Sequence, residues 1–250
     1  MSEGAISVTD EGAVRTLTPE RPDKRNALTR SMYEELDAAL RAASGDSTVA
    51  VIRIRGAGGH FTAGNDREGL GELAGEGEWG GHPLARFLHG VVDCPKPLIA
   101  EVSGYALGIG TTLLLHCDLV IAATDAELGM PFVPMGLVPE FASTELLPAL
   151  VGPQRAARLM LLGDRFSAME GERLGIVTQV CEPPAVGPVA RAWARRVAGL
   201  PVGAVAETRA LLRDSGYRER LHAVIEREAA AFLRRLASEE HRAAMASRGR

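Results

Sequence analysis

Glu140 stands in Gly136-Leu137-Val138-Pro139-Glu140-Phe141-Ala142-Ser143, a carboxylate with apolar neighbours on both sides. Burial among such residues disfavours the ionised form, and a carboxyl that titrates near neutrality can both take and return a proton. A glutamate after a proline also suits the first turn of a helix, where the helix dipole favours negative charge. Two glycine-bearing segments, Gly56 to Asp66 and Gly104 to Gly110, each follow a strand-like run and precede a helix-like one. Such loops present backbone N–H groups to a cleft, which is geometry for stabilising an anion. Neither carries the Gly-x-x-x-x-Gly-Lys-Ser/Thr pattern of a phosphate loop, and Gly108-Ile109-Gly110 alone is a weak signal. Two separate N–H donors converging on one oxygen fit these loops better than a phosphate cradle. His116-Cys117-Asp118 has the residue types of a nucleophile or metal cluster. Neighbours at a helix end point in different directions, so structural roles are expected for these three and no metal site. Glu101, inside an apolar strand, is expected at an exposed or subunit-facing position.

The elements that must hold these residues are legible in the pattern. Ile6 to Thr9 and Val14 to Leu17 alternate like the arms of a hairpin joined by Asp10-Glu11-Gly12. Thr29 is a good N-cap for a helix through Met32, Leu36 and Leu40, and Val49 to Ile54 has the β-branched density of a buried strand. Pro97 to Val102, Leu119 to Ala122 and Ile176 to Val180 read as further strands. Thr111 to His116, Gly152 to Leu162 and Ala168 to Gly175 read as helices. The glycine-rich stretch from Gly69 to Gly81 is expected to be mobile and to cover a pocket or connect elements.

From Pro188 onward only helix patterns remain: Val189 to Leu200, a helix opened by Pro201, and Tyr217 to about Arg242. Leu221, Ile225, Ala229, Phe232 and Leu236 recur at helical spacing and need a cover, for which another subunit is favoured over the chain's own body. The expected division is residues 1–187 as the core and 188–250 as a helical, oligomerising region.

Composition bounds the partners. The 250 residues are 46% hydrophobic, enough for one large core, and a net charge of -4 without a basic, aromatic-interleaved stretch argues against nucleic acid. Three scattered cysteines make no disulfide framework or zinc pattern. Met1 to Asp10 lack the basic and apolar regions of an export signal, and no apolar run is long enough to span a bilayer. A cytoplasmic protein without membrane association is the expectation.

Four ordered stretches carry a resemblance: Arg21-Pro22-Asp23-Lys24-Arg25-Asn26-Ala27-Leu28, Phe61-Thr62-Ala63-Gly64-Asn65-Asp66, Lys96-Pro97-Leu98-Ile99-Ala100 through Asp118, and Leu162-Gly163-Asp164-Arg165-Phe166-Ser167-Ala168. With these, the chain resembles the crotonase (enoyl-CoA hydratase/isomerase) superfamily over nearly its full length. The resemblance implies an α/β crotonase fold, with repeated ββα units forming a spiral core, a helical C-terminal region, and homotrimers or dimers of trimers. It implies no cofactor, the substrate being carried as a coenzyme A thioester. Its carbonyl would be held in an oxyanion hole by the backbone N–H groups of Ala63 and Ile109. The implied substrate-binding set is Lys24, Arg25, Ala27, Ala63, Gly64, Asn65, Asp66, Leu70, Gly108, Phe132 and Leu137. Lys24 and Arg25 would meet coenzyme A phosphates, while a capping role for Asp66 is the competing reading.

Hydratases of this superfamily resemble one another in using two glutamates, and this chain has Thr112 and Phe132 at those two positions. Without both acids, water addition lacks its machinery. Gly108-Ile109, Thr112-Leu113-Leu114 and Pro139-Glu140 instead resemble the single-carboxylate Δ3-Δ2-enoyl-CoA isomerases, in which Glu140 would be the acid and base. Alternatives are another single-carboxylate isomerase of an epoxide or aromatic acyl-CoA, an enoyl-CoA hydratase, and a crotonase-fold binding protein without turnover.

Overall fold

Residues 4–66, 69, 70, 73, 79–213 and 215–247 are described in the computed structural model of the chain. The expected hairpin forms from β1 (Ala5–Glu11) and β2 (Val14–Glu20), antiparallel around Gly12, whose φ of 60° suits a residue without Cβ. Thr29 caps α1 (Arg30–Gly45), its hydroxyl accepting from Met32 N–H at 3.3 Å, and Met32, Leu36 and Leu40 are buried as the spacing requires. A cap of this kind is worth about 1 kcal/mol.

β3 (Val51–Arg55), α2 (Pro83–Asp93), β4 (Leu98–Val102), β5 (Tyr105–Leu107) and the short α3 (Ile109–Thr112) follow. Then come β6 (Leu119–Ala123), β7 (Glu127–Gly129), α4 (Ser143–Val151), α5 (Pro153–Leu162), β8 (Phe166–Ser167), α6 (Ala168–Arg173) and β9 (Gln179–Cys181). One sheet has the order β1-β2-β3-β4-β6-β9, parallel from β2 onward. Its middle strands β3, β4 and β6 are almost wholly buried, as the continuous apolar runs demand. The second sheet, β5-β7-β8, lies beside it in the winding of the chain: β4 then β5, and β6 then β7, give one strand to each sheet per turn. A bridge between Thr62 and Ala106 extends the second sheet one turn earlier. This repeated strand-strand unit with its following helix is the spiral core.

Local punctuation misplaced several elements. The helical region starts at α7 (Pro183–Ala198), so a boundary at residue 188 falls inside a helix. Pro188 removes a single intrahelical donor near the N-terminal end, which the helix tolerates. α7 also packs on β3, β4 and β6 and so belongs to the core. α8 (Val202–Leu211) comes next. The expected long final helix is two, α9 (Tyr217–Leu236) and α10 (Glu239–Ser247). The strand expected over 176–180 is confined to β9, α2 was not anticipated, the helix that Pro139-Glu140 could have opened starts only at Ser143 as α4, and Thr111 to His116 is split between α3 and a 3-10 turn, Leu113–His116.

The apolar face of α9 folds back on its own chain. Leu221, Ile225, Ala229, Phe232 and Leu236 are buried within the protomer, against α2 and α4, not kept for another subunit. Glu101 is likewise inside, 7% exposed, with Arg53 at 3.4 Å and Arg55 at 3.7 Å. A strand buried on both faces leaves its charge no route to solvent, so it is paired instead. Most of the glycine-rich 69–81 stretch lies outside the described residues. Among the described residues no helix is long and apolar enough to cross a membrane.

Candidate active site

Two loops make one wall of a cleft of about 390 Å³. The first, after β3, is fastened to the segment 21–28 by a fully buried Asn26. Its amide accepts from Arg21 N–H and donates to the carbonyls of Ala57 (2.7 Å) and His60 (2.6 Å). Thr62 Oγ1 donates to the Asn26 carbonyl at 2.7 Å and accepts from Gly64 N–H at 3.0 Å. Leu28 N–H then bonds Gly64 O, and Asp66 N–H bonds Leu28 O, each at 2.8 Å. Gly64 has φ 97°, and a Cβ there would sit 2.9 Å from Leu107 O on the second loop, so glycine is what lets the two loops touch. The second loop turns at Gly108, φ 56°, and is tied by Gly108 N–H to Gly129 O at 2.8 Å.

These ties decide which amides face the cleft. Ala63 N–H donates to Arg25 O at 2.9 Å. The expectation that Ala63 supplies one oxyanion donor is therefore corrected, because its proton is already held by a buried carbonyl. Asn65 N–H has no partner among the described residues, since the Leu28 bridge uses the groups on either side of it. Ile109 opens α3, so its N–H has no intrahelical acceptor and is also unpartnered among the described residues. Both residues line the cleft. The Asn65 side chain is held from behind, its Oδ1 accepting from the buried Tyr33 hydroxyl.

Glu140 is 6% exposed, in the loop before α4. Thr112 Oγ1 donates to its Oε1 at 2.7 Å, and Oε2 is buried with no hydrogen-bond partner. Burial is the main cause that pushes its pKa up to about 8; the Thr112 hydrogen bond opposes this and the nearby Glu228 charge adds to it. Glu140 does not line the large cleft itself. It lines a small adjoining cavity with Asn65 and Phe232, which belong to both spaces and place the carboxyl just behind the donor loop. Among the described residues the arrangement offers a carboxyl poised near neutrality and two N–H donors without partners.

Of the residues expected to bind substrate, Ala63, Gly64, Asn65, Leu70, Gly108, Phe132 and Leu137 line the cleft. Lys24, Arg25 and Ala27 do not. Lys24 and Arg25 are exposed, and the Arg25 guanidinium lies 5.1 Å over the Tyr105 ring. Asp66 does not line it either: its carboxylate is 2.6 Å from Arg21 Nη1, a part-buried ion pair that ties the first loop to the segment just after the hairpin. His116, Cys117 and Asp118 diverge as expected, to Phe141 O, Leu113 O and Arg209 respectively.

Three residues of the site went unnoticed in sequence. Thr112 counts in sequence as a missing acid and as part of the isomerase-like pattern, with no role for its hydroxyl, which is what orients the acid that remains. Tyr33 is hidden in the apolar face of α1. Glu228 interrupts the apolar stripe of α9 between Ile225 and Phe232, a buried-charge signal that periodicity carried.

Comparisons with known proteins place the chain by family and fold. The enoyl-CoA hydratase/isomerase family model matches residues 9–248. Enoyl-CoA delta isomerase 2 of Rattus norvegicus is 36% identical over 241 residues, 94% of this chain, and the match spans 61% of that protein's length. The 1,2-epoxyphenylacetyl-CoA isomerase of Escherichia coli is 35% identical over 206 residues, covering 80% of this chain and 78% of that one. Among solved structures, Pseudomonas aeruginosa OdaA superposes with a TM-score of 0.92 at 41% identity, covering 97% of both chains. An enoyl-CoA hydratase/isomerase from Pseudoalteromonas atlantica superposes at 0.91 with 35% identity, over 98% of this chain and 96% of that one. With the spiral core, the paired glycine loops and matches of this extent, the chain belongs to the enoyl-CoA hydratase/isomerase family and has its crotonase fold.

Proposed function

We propose that the protein is a Δ3-Δ2-enoyl-CoA isomerase, with Glu140 as the single acid and base. The observation that carries this is the buried Glu140 carboxyl, one oxygen held by Thr112 and the other without a hydrogen bond, in a cavity shared with Asn65, whose amide, like that of Ile109, has no partner among the described residues. The ionised carboxyl takes a proton from the carbon alpha to the thioester of a 3-enoyl-CoA. The electron pair of that C–H bond moves into a dienolate whose negative charge rests on the thioester oxygen. Donors aimed at that oxygen stabilise the dienolate more than the ground state. Glu140 then returns the proton to the gamma carbon, the double bond moves into conjugation, and the carboxyl is ionised again. Nothing is consumed, and one carboxylate serves both ends.

Hydration asks for a second acid to position water. Thr112 spends its hydroxyl on Glu140, and Phe132 is apolar, 4% exposed and part of the cleft wall. A second reading, isomerisation of an epoxide or aromatic acyl-CoA through the same carboxyl, is favoured by the likeness to the Escherichia coli 1,2-epoxyphenylacetyl-CoA isomerase.

Incubation of a 3-enoyl-CoA, and in parallel of an epoxide acyl-CoA, with wild type and Glu140→Gln in deuterated water tests both. The proposal expects the 2-enoyl product and alpha or gamma exchange with wild type only. Retained isomerisation in the variant sinks it, and turnover confined to an epoxide substrate turns it to the second reading.

A further inference from the structure

We infer that Glu228, on the C-terminal helix α9, is a positioning residue for Glu140: it holds the turn that follows Glu140 and so sets where the carboxyl points. This rests on Glu140 being the acid and base.

Phe141 and Ala142, the two residues after Glu140, both have left-handed backbone, φ 65° and 54°. Neither is glycine, and each such residue costs of order 1 kcal/mol, so surrounding contacts must impose the conformation. Glu228 supplies those contacts. Ala142 N–H donates to its Oε2 at 2.6 Å, while Thr144 N–H and Oγ1 donate to its Oε1 at 2.9 and 2.6 Å. Ala142 is the N-cap of α4 and has no side-chain oxygen of its own, so a carboxylate 86 residues away caps that helix. From the other side His116 Nε2 donates to Phe141 O at 2.8 Å, with its ring stacked on Phe141 at 4.1 Å. The turn is gripped at both ends, and Glu140 is the residue on which it pivots.

Glu228 is 5% exposed, and nothing in packing alone asks for a charge at a core position of α9. A glutamine there would fill the same space without the negative charge. Arg227 acts on the carboxylate from its own helix, and Glu140 faces it from the loop. The neighbouring charges of α9 are occupied elsewhere: Glu226 with His89 and His222 with Asp93 against α2, and Arg220 with Glu145 against α4. Glu228 is thus both tether and charge: the tether fixes the geometry of Glu140, and the charge opposes its ionisation.

Substitution separates these parts. Glu228→Gln loses the charge and weakens one arm of the tether. Its kcat should fall about ten- to a hundredfold, the scale of a misplacement near 1 Å, with KM changed less than about threefold. The pH midpoint of kcat should move down. Glu228→Asp keeps the charge on a shorter arm, so its kcat should fall while the midpoint stays. Thr144→Val should lower kcat severalfold without moving the midpoint. Circular dichroism and melting curves establish that each variant folds. A folded Glu228→Gln protein with wild-type kcat and midpoint overturns the inference, as does a lowered melting temperature with unchanged kcat. If Glu228→Gln does not fold, wild-type kcat in both Glu228→Asp and Thr144→Val overturns it. Activity surviving in Glu140→Gln instead removes the reading on which it rests; an inactive Glu140→Gln beside an unaffected Glu228→Gln removes this inference alone.

Discussion

Thr112 Oγ1 donates a 2.7 Å hydrogen bond to Glu140 Oε1, joining a residue of the second glycine loop's helix to the carboxyl that lines the small cavity beside the cleft. A position at which hydratases of the superfamily are expected to carry an acid here carries the group that orients one. That hydrogen bond favours the ionised carboxyl, against the burial that disfavours it.

Thr112→Val should therefore raise the pKa of Glu140 above its value of about 8. Activity needs the ionised base, so it should rise with pH through this pKa in wild type and do so at higher pH in the variant. At pH near 7 the variant should lose about tenfold in kcat, one pKa unit being a tenfold change in the ionised fraction below the midpoint. The shift is opposite in sign to that expected for Glu228→Gln. A pH profile of kcat for both variants checks it.

Glu140→Gln should lower kcat by about 10²- to 10⁴-fold, the range for loss of a general acid or base. It should also melt at higher temperature than wild type at alkaline pH. The folded carboxyl titrates near 8 against 4.5 for an ordinary glutamate, so between those values the unfolded chain gives up a proton that the folded one keeps. Stability from this group is fully present below the lower value and is lost as pH rises through the upper one. The gap in melting temperature between variant and wild type should widen across that window, read by calorimetry.

Ile109→Pro tests a backbone donor by side-chain substitution. Ile109 is the first residue of α3, where proline fits the helix and its missing N–H breaks no helical bond. The variant should lose about 2.7–4 kcal/mol of transition-state stabilisation, measured as kcat/KM against Ile109→Ala. The alanine variant shares the loss of the buried side chain and keeps the donor. Equal activity in the two would remove Ile109 from the oxyanion hole.

His116 should make the fold acid-sensitive. Burial holds its pKa down at about 4 against 6.5, so the unfolded chain binds a proton in that interval and the folded one does not. Its contribution is present above pH 6.5 and is lost as pH falls toward 4. His116→Asn should show a shallower fall in urea midpoint across this window.

Asp66→Asn should lower stability by about 1–3 kcal/mol, because it leaves the buried Arg21 partly uncompensated, with little change in KM for an acyl-CoA. Denaturant unfolding and steady-state kinetics separate the two effects. A large rise in KM would return Asp66 to substrate binding.

The sequence by itself determined what local chemistry encodes. The hairpin, the Thr29 cap, the two glycine loops, the isolation of Glu140 and the missing acids at Thr112 and Phe132 follow from residue type, spacing and resemblance. The helical tail was legible too, and so was its apolar stripe. The tertiary structure alone decided which of two amides in Ala63-Gly64-Asn65 is free, since that depends on the distant carbonyl of Arg25. It alone set the partner of the α9 face, and it alone brought Thr112 to the Glu140 carboxyl and Glu228 to the turn that follows it. Periodicity reports which face of an element must be covered. The covering surface, and the pairing of buried hydrogen-bonding groups across it, arise from contacts between segments far apart in the chain, and no short window of sequence contains both partners.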